Sequence, residues 1–386
     1  MKLFRSFAIA AAICAGALAS MAQGIDFMPE GATLNEAVAK AKTEGKLVFL
    51  DCYTSWCGPC KYMSSKIFTT EEVGNFMNPS YVAIKIDMEK GEGPDLARRL
   101  EVAAYPTFVI FNGEGNEVGR FMGSSKADEF IENVKKASVD LGLTDLQRRY
   151  DNGVRDREFL LSYIDVLSRM QKRRKAVEVA EVLLNDRAET FASDPVLVKI
   201  FMDNIGNPFH PAFIYTAKHP EALQAAIGER NANTRIRNVW ERSILSLVKE
   251  QDGQVTFDND KFTRLIDLMK ECGVNNVERY RYTGLINYAR RAGNWGDYVK
   301  YVESYAADPQ MQMDDMTLSQ FAKPVLENCK DSAPRQGMKT LIDKRLEDIR
   351  SGKRQPQTHW GQRELNPIPM ETLEGYSKEL AAPVNS

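Results

Sequence analysis

Residues 46–60, KLVFLDCYTSWCGPC, constrain this chain more than any other stretch. Leu47, Val48, Phe49 and Leu50 form a continuous apolar run, which reads as a buried strand. The run ends in Trp56-Cys57-Gly58-Pro59-Cys60, and residues 61–68 can continue as a helix. Two residues between cysteines bring the sulfurs within bridging reach on a helix's first turn. At a strand-to-helix junction that pattern is a redox signature. The first thiol there faces unpaired backbone N–H groups and the positive end of the helix dipole, which favours thiolate. Pro59 fits the early helix, where its missing N–H costs nothing.

These residues resemble the thioredoxin family. WCGPC is that family's active-site motif as it stands, and Asp51 matches the buried aspartate the family carries beneath its second cysteine. Tyr105-Pro106-Thr107, followed by the apolar run 108–111, matches the family's cis-proline loop and the strand leaving it. The variant looks most like the thioredoxin-like domains of secreted and membrane-linked disulfide reductases. The resemblance covers roughly residues 25–142, with one departure: the lysine that thioredoxins place near the buried aspartate would fall at Ala83, with Lys85 one strand repeat further on.

The resemblance implies a role for each of these residues. Cys57 is the nucleophile, expected to be more exposed than Cys60, and its thiolate attacks a client disulfide. Cys60 resolves the mixed disulfide, and Asp51 takes its proton if burial raises the carboxyl pKa. Pro106, in cis, holds its loop against the sulfurs. The Tyr105 backbone pairs with an extended client peptide, and Trp56 offers an apolar rim. No bound cofactor is implied. Half of a zinc site is the duller reading of the cysteines, but it needs a second pair or histidines. The only histidines are His210, His219 and His359, scattered far from the motif.

Residues 1–22 read as a signal peptide. Lys2 and Arg5 precede an apolar run from Phe7 to Leu18, and Ser20-Met21-Ala22 places small residues before a cleavage at Gln23. A lipid-attachment reading of Cys14 fails on Ile13, which sits where such signals want a small residue. The expectation is an exported protein, periplasmic if the source is a Gram-negative bacterium. A formal net charge of −2 argues neither for nucleic acid nor for an anionic membrane surface. The basic run Lys172-Arg173-Arg174-Lys175 lacks aromatic interleaving and reads as a solvated turn. Cys52 alternates with Asp51, so it faces the other side of the sheet as an inert buried thiol. Cys272 and Cys329 are candidates for a bridge in an oxidising compartment.

Residues 23–142 alternate helix and strand: helices at 33–42, 71–77, 94–100 and 127–141, and strands at 47–53, 81–88, 105–112 and 117–122. The implied architecture is an α/β thioredoxin fold, a mixed central sheet with helices on both faces. From 143 to 350 strand signals nearly vanish and helical periodicity takes over, giving an all-α domain, an irregular solenoid in character. Tyr288-Ala289, Gly293-Asn294-Trp295, Tyr298 and Tyr301 resemble one tetratricopeptide-type hairpin, without a clean repeat period. The tail, 351–386, with four prolines and little periodicity, reads as extended or partly disordered.

Two function classes follow. The first is an exported thiol:disulfide oxidoreductase, mainly a reductase of disulfide-containing client proteins. It draws electrons from a membrane-linked donor, and its helical domain docks clients or partner. The second is a non-catalytic binding or chaperone-like protein whose helical domain is the working part.

Overall fold

A computed structural model describes residues 24–382; the expected signal peptide at 1–22 and the proline at 383 lie outside the described residues. The chain divides into two compact units between Val179 and Ala180.

The first unit opens with α1 (Leu34–Glu44) and β1 (Leu47–Tyr53). Thr33 and Glu36 close a reciprocal box at the start of α1: Glu36 N–H donates to the Thr33 hydroxyl at 3.3 Å, and Thr33 N–H donates to the Glu36 carboxylate at 2.7 Å. Gly45, at φ 66°, turns the chain out of the helix in a conformation that costs other residues strain. Then follow α2 (Gly58–Tyr62), a π-turn at Met63–Ile67, α3 (Glu71–Met77), β2 (Tyr81–Asp87) and α4 (Gly93–Leu100). The hairpin β3 (Thr107–Phe111) and β4 (Glu117–Met122) leads to α5 (Ala127–Ala137).

The sheet order is β2-β1-β3-β4, with β1 parallel to β2 and antiparallel to β3. β1 is therefore central and covered on both faces, as its unbroken apolar run requires. Alternation divides its side chains. Val48, Leu50 and Cys52 pack with Leu34, Ala37 and Ala41 of α1 and with Leu96 of α4. Phe49 packs on the other face with Met63, Ile67, Phe68, Phe108 and Phe130. There Phe108 lies 4.8 Å from Phe121 and 5.7 Å from Phe130, centroid to centroid. Truncating one such ring to alanine costs about 3–5 kcal/mol. β4 sits so close under α5 that a Cβ on Gly119 would come within 2.3 Å of the Ala137 carbonyl oxygen.

Among the boundaries that differ from expectation, three lie next to the core or the motif. The helix expected over 61–68 begins earlier and widens into the π-turn, closed by Phe68 N–H to Met63 O at 2.9 Å. That turn places Met63, Ile67 and Phe68 together in the aromatic core. The strand expected at 105 starts at Thr107, after the cis peptide Tyr105–Pro106. The closing helix stops at Ala137, and the Ser138 hydroxyl that follows donates to Val134 O at 2.7 Å and meets the Tyr81 hydroxyl at 2.8 Å.

The first unit does not end at residue 142. It continues through α6 (Leu143–Asp151) and α7 (Arg157–Arg169) into the start of α8 (Arg173–Asn185). The basic turn reaches the sheet: Lys172 Nζ lies 2.7 Å from Glu117 Oε2 on β4. Glu117 in turn takes Arg120 Nε at 2.5 Å, and Arg120 Nη1 donates to Leu100 O at 2.7 Å. Lys172 is thus a largely buried partner rather than a solvated charge, and burial lowers its pKa.

The second unit contains α9 (Pro195–Asn204), α10 (Pro211–Lys218), α11 (Pro220–Ile227) and α12 (Glu229–Leu245). A hairpin, β5 (Val248–Gln251) and β6 (Gln254–Phe257), precedes α13 (Asn259–Glu271). Next come α14 (Val277–Arg291), α15 (Trp295–Ala307), α16 (Asp315–Asn328) and α17 (Ser332–Arg350). The chain then forms β7 (His359–Trp360), β8 (Arg363–Glu364) and α18 (Pro369–Ala381). α14 and α15, the stretch of the tetratricopeptide-type expectation, contribute to one core. Cys272 and Cys329 are buried and free, so the candidate bridge is not formed.

The tail expectation is overturned. Leu373 and Leu380 of α18 pack into the core of α14–α17, and Arg335 Nη2 donates to Glu379 O at 2.8 Å. Asp315, wholly buried, binds Arg345 Nη1 at 2.6 Å and accepts Gln357 N–H at 3.0 Å, tying down the intervening segment. Among the described residues, no helix is long and apolar enough to cross a membrane.

Candidate active site

β1 delivers the motif to the carboxyl end of the central strand, and Thr54 O accepts Cys57 N–H at 3.3 Å to form the turn into α2. Cys57 is the N-cap of α2, with extended backbone (φ −69°, ψ 111°). Its Sγ accepts the Cys60 N–H at 3.2 Å, so the sulfur stands where a capping oxygen ordinarily would. Cys57 and Cys60 are joined in a disulfide, with α-carbons 5.3 Å apart. The expected difference in exposure is absent: Cys57 is 3% and Cys60 4% exposed. The closed bridge seals both sulfurs, so what distinguishes Cys57 is the N–H aimed at its sulfur.

Asp51 lies on the Phe49 face of β1 and is 1% exposed. Burial pushes its carboxyl up to about 7, against the pull of the Lys85 ammonium. Register explains that pull. Ala83 pairs with Phe49, whereas Lys85 stands directly across from Asp51 on the parallel neighbour, so both project to one face. Lys85 Nζ donates to Ser64 Oγ at 2.9 Å and lies 5.1 Å from the Phe27 ring centre. Cys52 faces away, wholly buried, and burial drives its thiol pKa up beyond use as a nucleophile at neutral pH.

Trp56 is 64% exposed at the motif's rim. Its ring meets Tyr105 edge-on, centroids 6.2 Å apart, and its Nε1–H donates to Glu89 Oε1 at 2.9 Å. Pro106 follows Tyr105 across the cis peptide, and its carbonyl accepts Gly123 N–H at 2.9 Å. Tyr62 and Met122 add further exposed apolar surface, at 43% and 44%. The fold thus joins Trp56 to Tyr105, forty-nine positions away in sequence. Sequence reasoning missed Glu89, two residues past β2, and Ser64, on the π-turn, because their partners Trp56 and Lys85 are distant in sequence. Among the described residues, no three His, Cys, Asp or Glu side chains gather as a metal site would require.

The arrangement can cycle between dithiol and disulfide, with a thiolate favoured at the helix start and a buried carboxyl titrating near neutrality. By sequence the chain is similar to thioredoxin-type proteins. A family model described as a thioredoxin-like domain matches residues 34–138. A thioredoxin H-type from Fagopyrum esculentum is 36% identical over 100 residues, 26% of this chain and 79% of the relative. The thiol:disulfide interchange protein DsbD of Cronobacter sakazakii is 36% identical over 101 residues, 25% of this chain but only 17% of the relative. A solution structure of a thioredoxin from Thermus thermophilus is 27% identical and covers 30% of this chain and 87% of its own, with a TM-score of 0.27. The family model ends before the second unit begins. With a bridged WCGPC on the strand-to-helix turn of a β2-β1-β3-β4 sheet, the chain belongs to the thioredoxin family and is a thiol:disulfide oxidoreductase.

Proposed function

We propose that this protein is exported and works mainly as a reductase of client disulfides, with the helical region after residue 142 docking clients or a redox partner. The observation that carries the catalytic part is the Cys60 N–H held 3.2 Å from Cys57 Sγ at the first turn of α2. That donor, with the helix N-terminus behind it, favours the Cys57 thiolate in the reduced protein. The thiolate attacks one sulfur of a client disulfide; the client bond breaks, its other sulfur leaves with the electron pair and takes a proton, and a mixed disulfide forms. Cys60 gives its proton to the Asp51 carboxylate and attacks Cys57 Sγ, releasing the second client sulfur and restoring the Cys57–Cys60 bridge. Two electrons pass to the client, and an external dithiol must return them. A membrane-linked electron donor fits an exported protein of this kind.

Client contact falls to the rim. Trp56 and Tyr105 present the apolar face, and the Tyr105 backbone, beside Pro106, is the proposed edge for an extended peptide. The Gly-Pro dipeptide between the cysteines is typical of reducing members of the family. Lys2, Arg5 and the apolar run after them support export.

The test uses the full chain. Insulin reduction should depend on Cys57, and Cys60→Ser should trap mixed disulfides through Cys57, because the resolving thiol is gone. A reduction potential near thioredoxin's, roughly −270 mV, means reductase, whereas one near −120 mV means oxidant. Insulin reduction that survives Cys57→Ser would end the catalytic assignment.

A further inference from the structure

Thr54 lies outside the residues that the proposed cycle uses, yet it is 1% exposed and its Oγ1 has no hydrogen-bond partner among the described residues. Native folds rarely leave a buried hydroxyl in that state, so the orphan calls for a reason. Its place supplies one. Thr54 O accepts the Cys57 N–H at 3.3 Å, so Thr54 and Cys57 close a single tight turn. Thr54, Cys57 and Cys60 are all nearly sealed from solvent, at 1%, 3% and 4% exposure. In the bridged protein Cys57 Sγ already takes the Cys60 N–H, and a neutral disulfide sulfur is a weak acceptor. Opening the bridge changes that, because a charged sulfur is a strong acceptor with capacity for more than one donor.

We propose that Thr54 is a positioning residue of the redox pair, whose hydroxyl is unpartnered while the cysteines are bridged and donates to the Cys57 sulfur once the bridge opens. The hydroxyl then stabilises the reduced form over the oxidised one. The inference rests on the redox reading of Cys57 and Cys60 and adds a residue that tunes their equilibrium.

The experiment equilibrates full-length parent, Thr54→Val and Thr54→Ser with dithiothreitol. The reagent's dithiol gives up two electrons and two protons, becoming a cyclic disulfide, as the Cys57–Cys60 bond breaks. Alkylation and mass spectrometry read the reduced fraction. Valine keeps the shape and removes the donor, so the constant for reduction should fall about tenfold, a potential about 30 mV more negative. The Cys57 thiolate absorbance should also titrate at higher pH in Thr54→Val, while Thr54→Ser follows the parent on both readouts. A Thr54→Val equilibrium matching the parent's overturns the proposal. So does a Thr54→Ser shift as large as valine's, since packing rather than the hydroxyl would then be the cause. If Thr54→Val does not fold, Thr54→Ala against Thr54→Ser makes the same comparison. A parent bridge that dithiothreitol cannot open overturns the redox reading itself, and this proposal with it.

Discussion

Asp51→Asn should change how the oxidised first unit's stability depends on pH. The carboxyl titrates at an ordinary 3.8 in the unfolded chain and at about 7 in the fold, because burial penalises its charged form. Below about pH 4 it is protonated in both states and adds no penalty. As pH rises, the unfolded chain ionises first, so the folded state binds the extra proton and stability falls until pH passes about 7. Between 3.8 and about 7 only the folded state holds the proton, and at about 1.36 kcal/mol per pH unit the loss totals about 4 kcal/mol. Asparagine cannot ionise, so its variant should lack that decline, whatever constant cost its amide adds. Cys52 provides the assay. It is a buried free thiol of the first unit, whereas Cys272 and Cys329 belong to the second. Pulsed alkylation in urea, read cysteine by cysteine, separates the two unfolding transitions. The parent's Cys52 midpoint should fall between pH 4 and pH 8 relative to the variant's, with the Cys272 and Cys329 midpoints unaffected. Parallel parent and variant midpoints across that range would refute a raised Asp51 pKa.

The same assay reads two structural claims. Lys172→Ala removes the third member of the Glu117–Arg120 group and should lower the Cys52 midpoint by about 2 kcal/mol of stability while leaving Cys329 alone; an unchanged midpoint would mean that the α7–α8 turn does not brace β4. Leu373→Ala empties a wholly buried position of α18 and should cost about 2–5 kcal/mol, seen at Cys329 and not at Cys52. No shift at Cys329 would show that the tail helix is not part of that core.

Much of the first unit was legible because its signals are local and strong. The run 47–50 reads as a doubly covered strand, and Thr33 and Gly45 mark both ends of α1. The β5–β6 hairpin had a local signal too, unread: Asp252-Gly253 between strands, with φ of 51° and 76°, supplies the left-handed pair that such a tight hairpin turn demands. The tail went wrong for another reason. Its prolines look like loop punctuation, but Pro369 stands in the first turn of α18, where proline starts a helix. What makes α18 stable is the apolar surface of α14–α17, which local composition does not display.

By itself the sequence pointed to the chemistry: two thiols a bridge apart on a helix's first turn, an acid on the strand before them, and a proline loop leading into the next strand pair. The thiols and the acid depend on spacing of a few residues, and spacing is what a sequence states, whereas the proline loop comes to them only through the fold. The tertiary structure alone decided which charges act on that chemistry. Strand register sets Lys85 rather than residue 83 opposite Asp51, and Lys172 comes back onto β4 from beyond the predicted domain boundary. Sealing of the turn leaves Cys57 no more exposed than Cys60. Burial and pairing are properties of surfaces brought together, so they exist only once the chain has closed on itself.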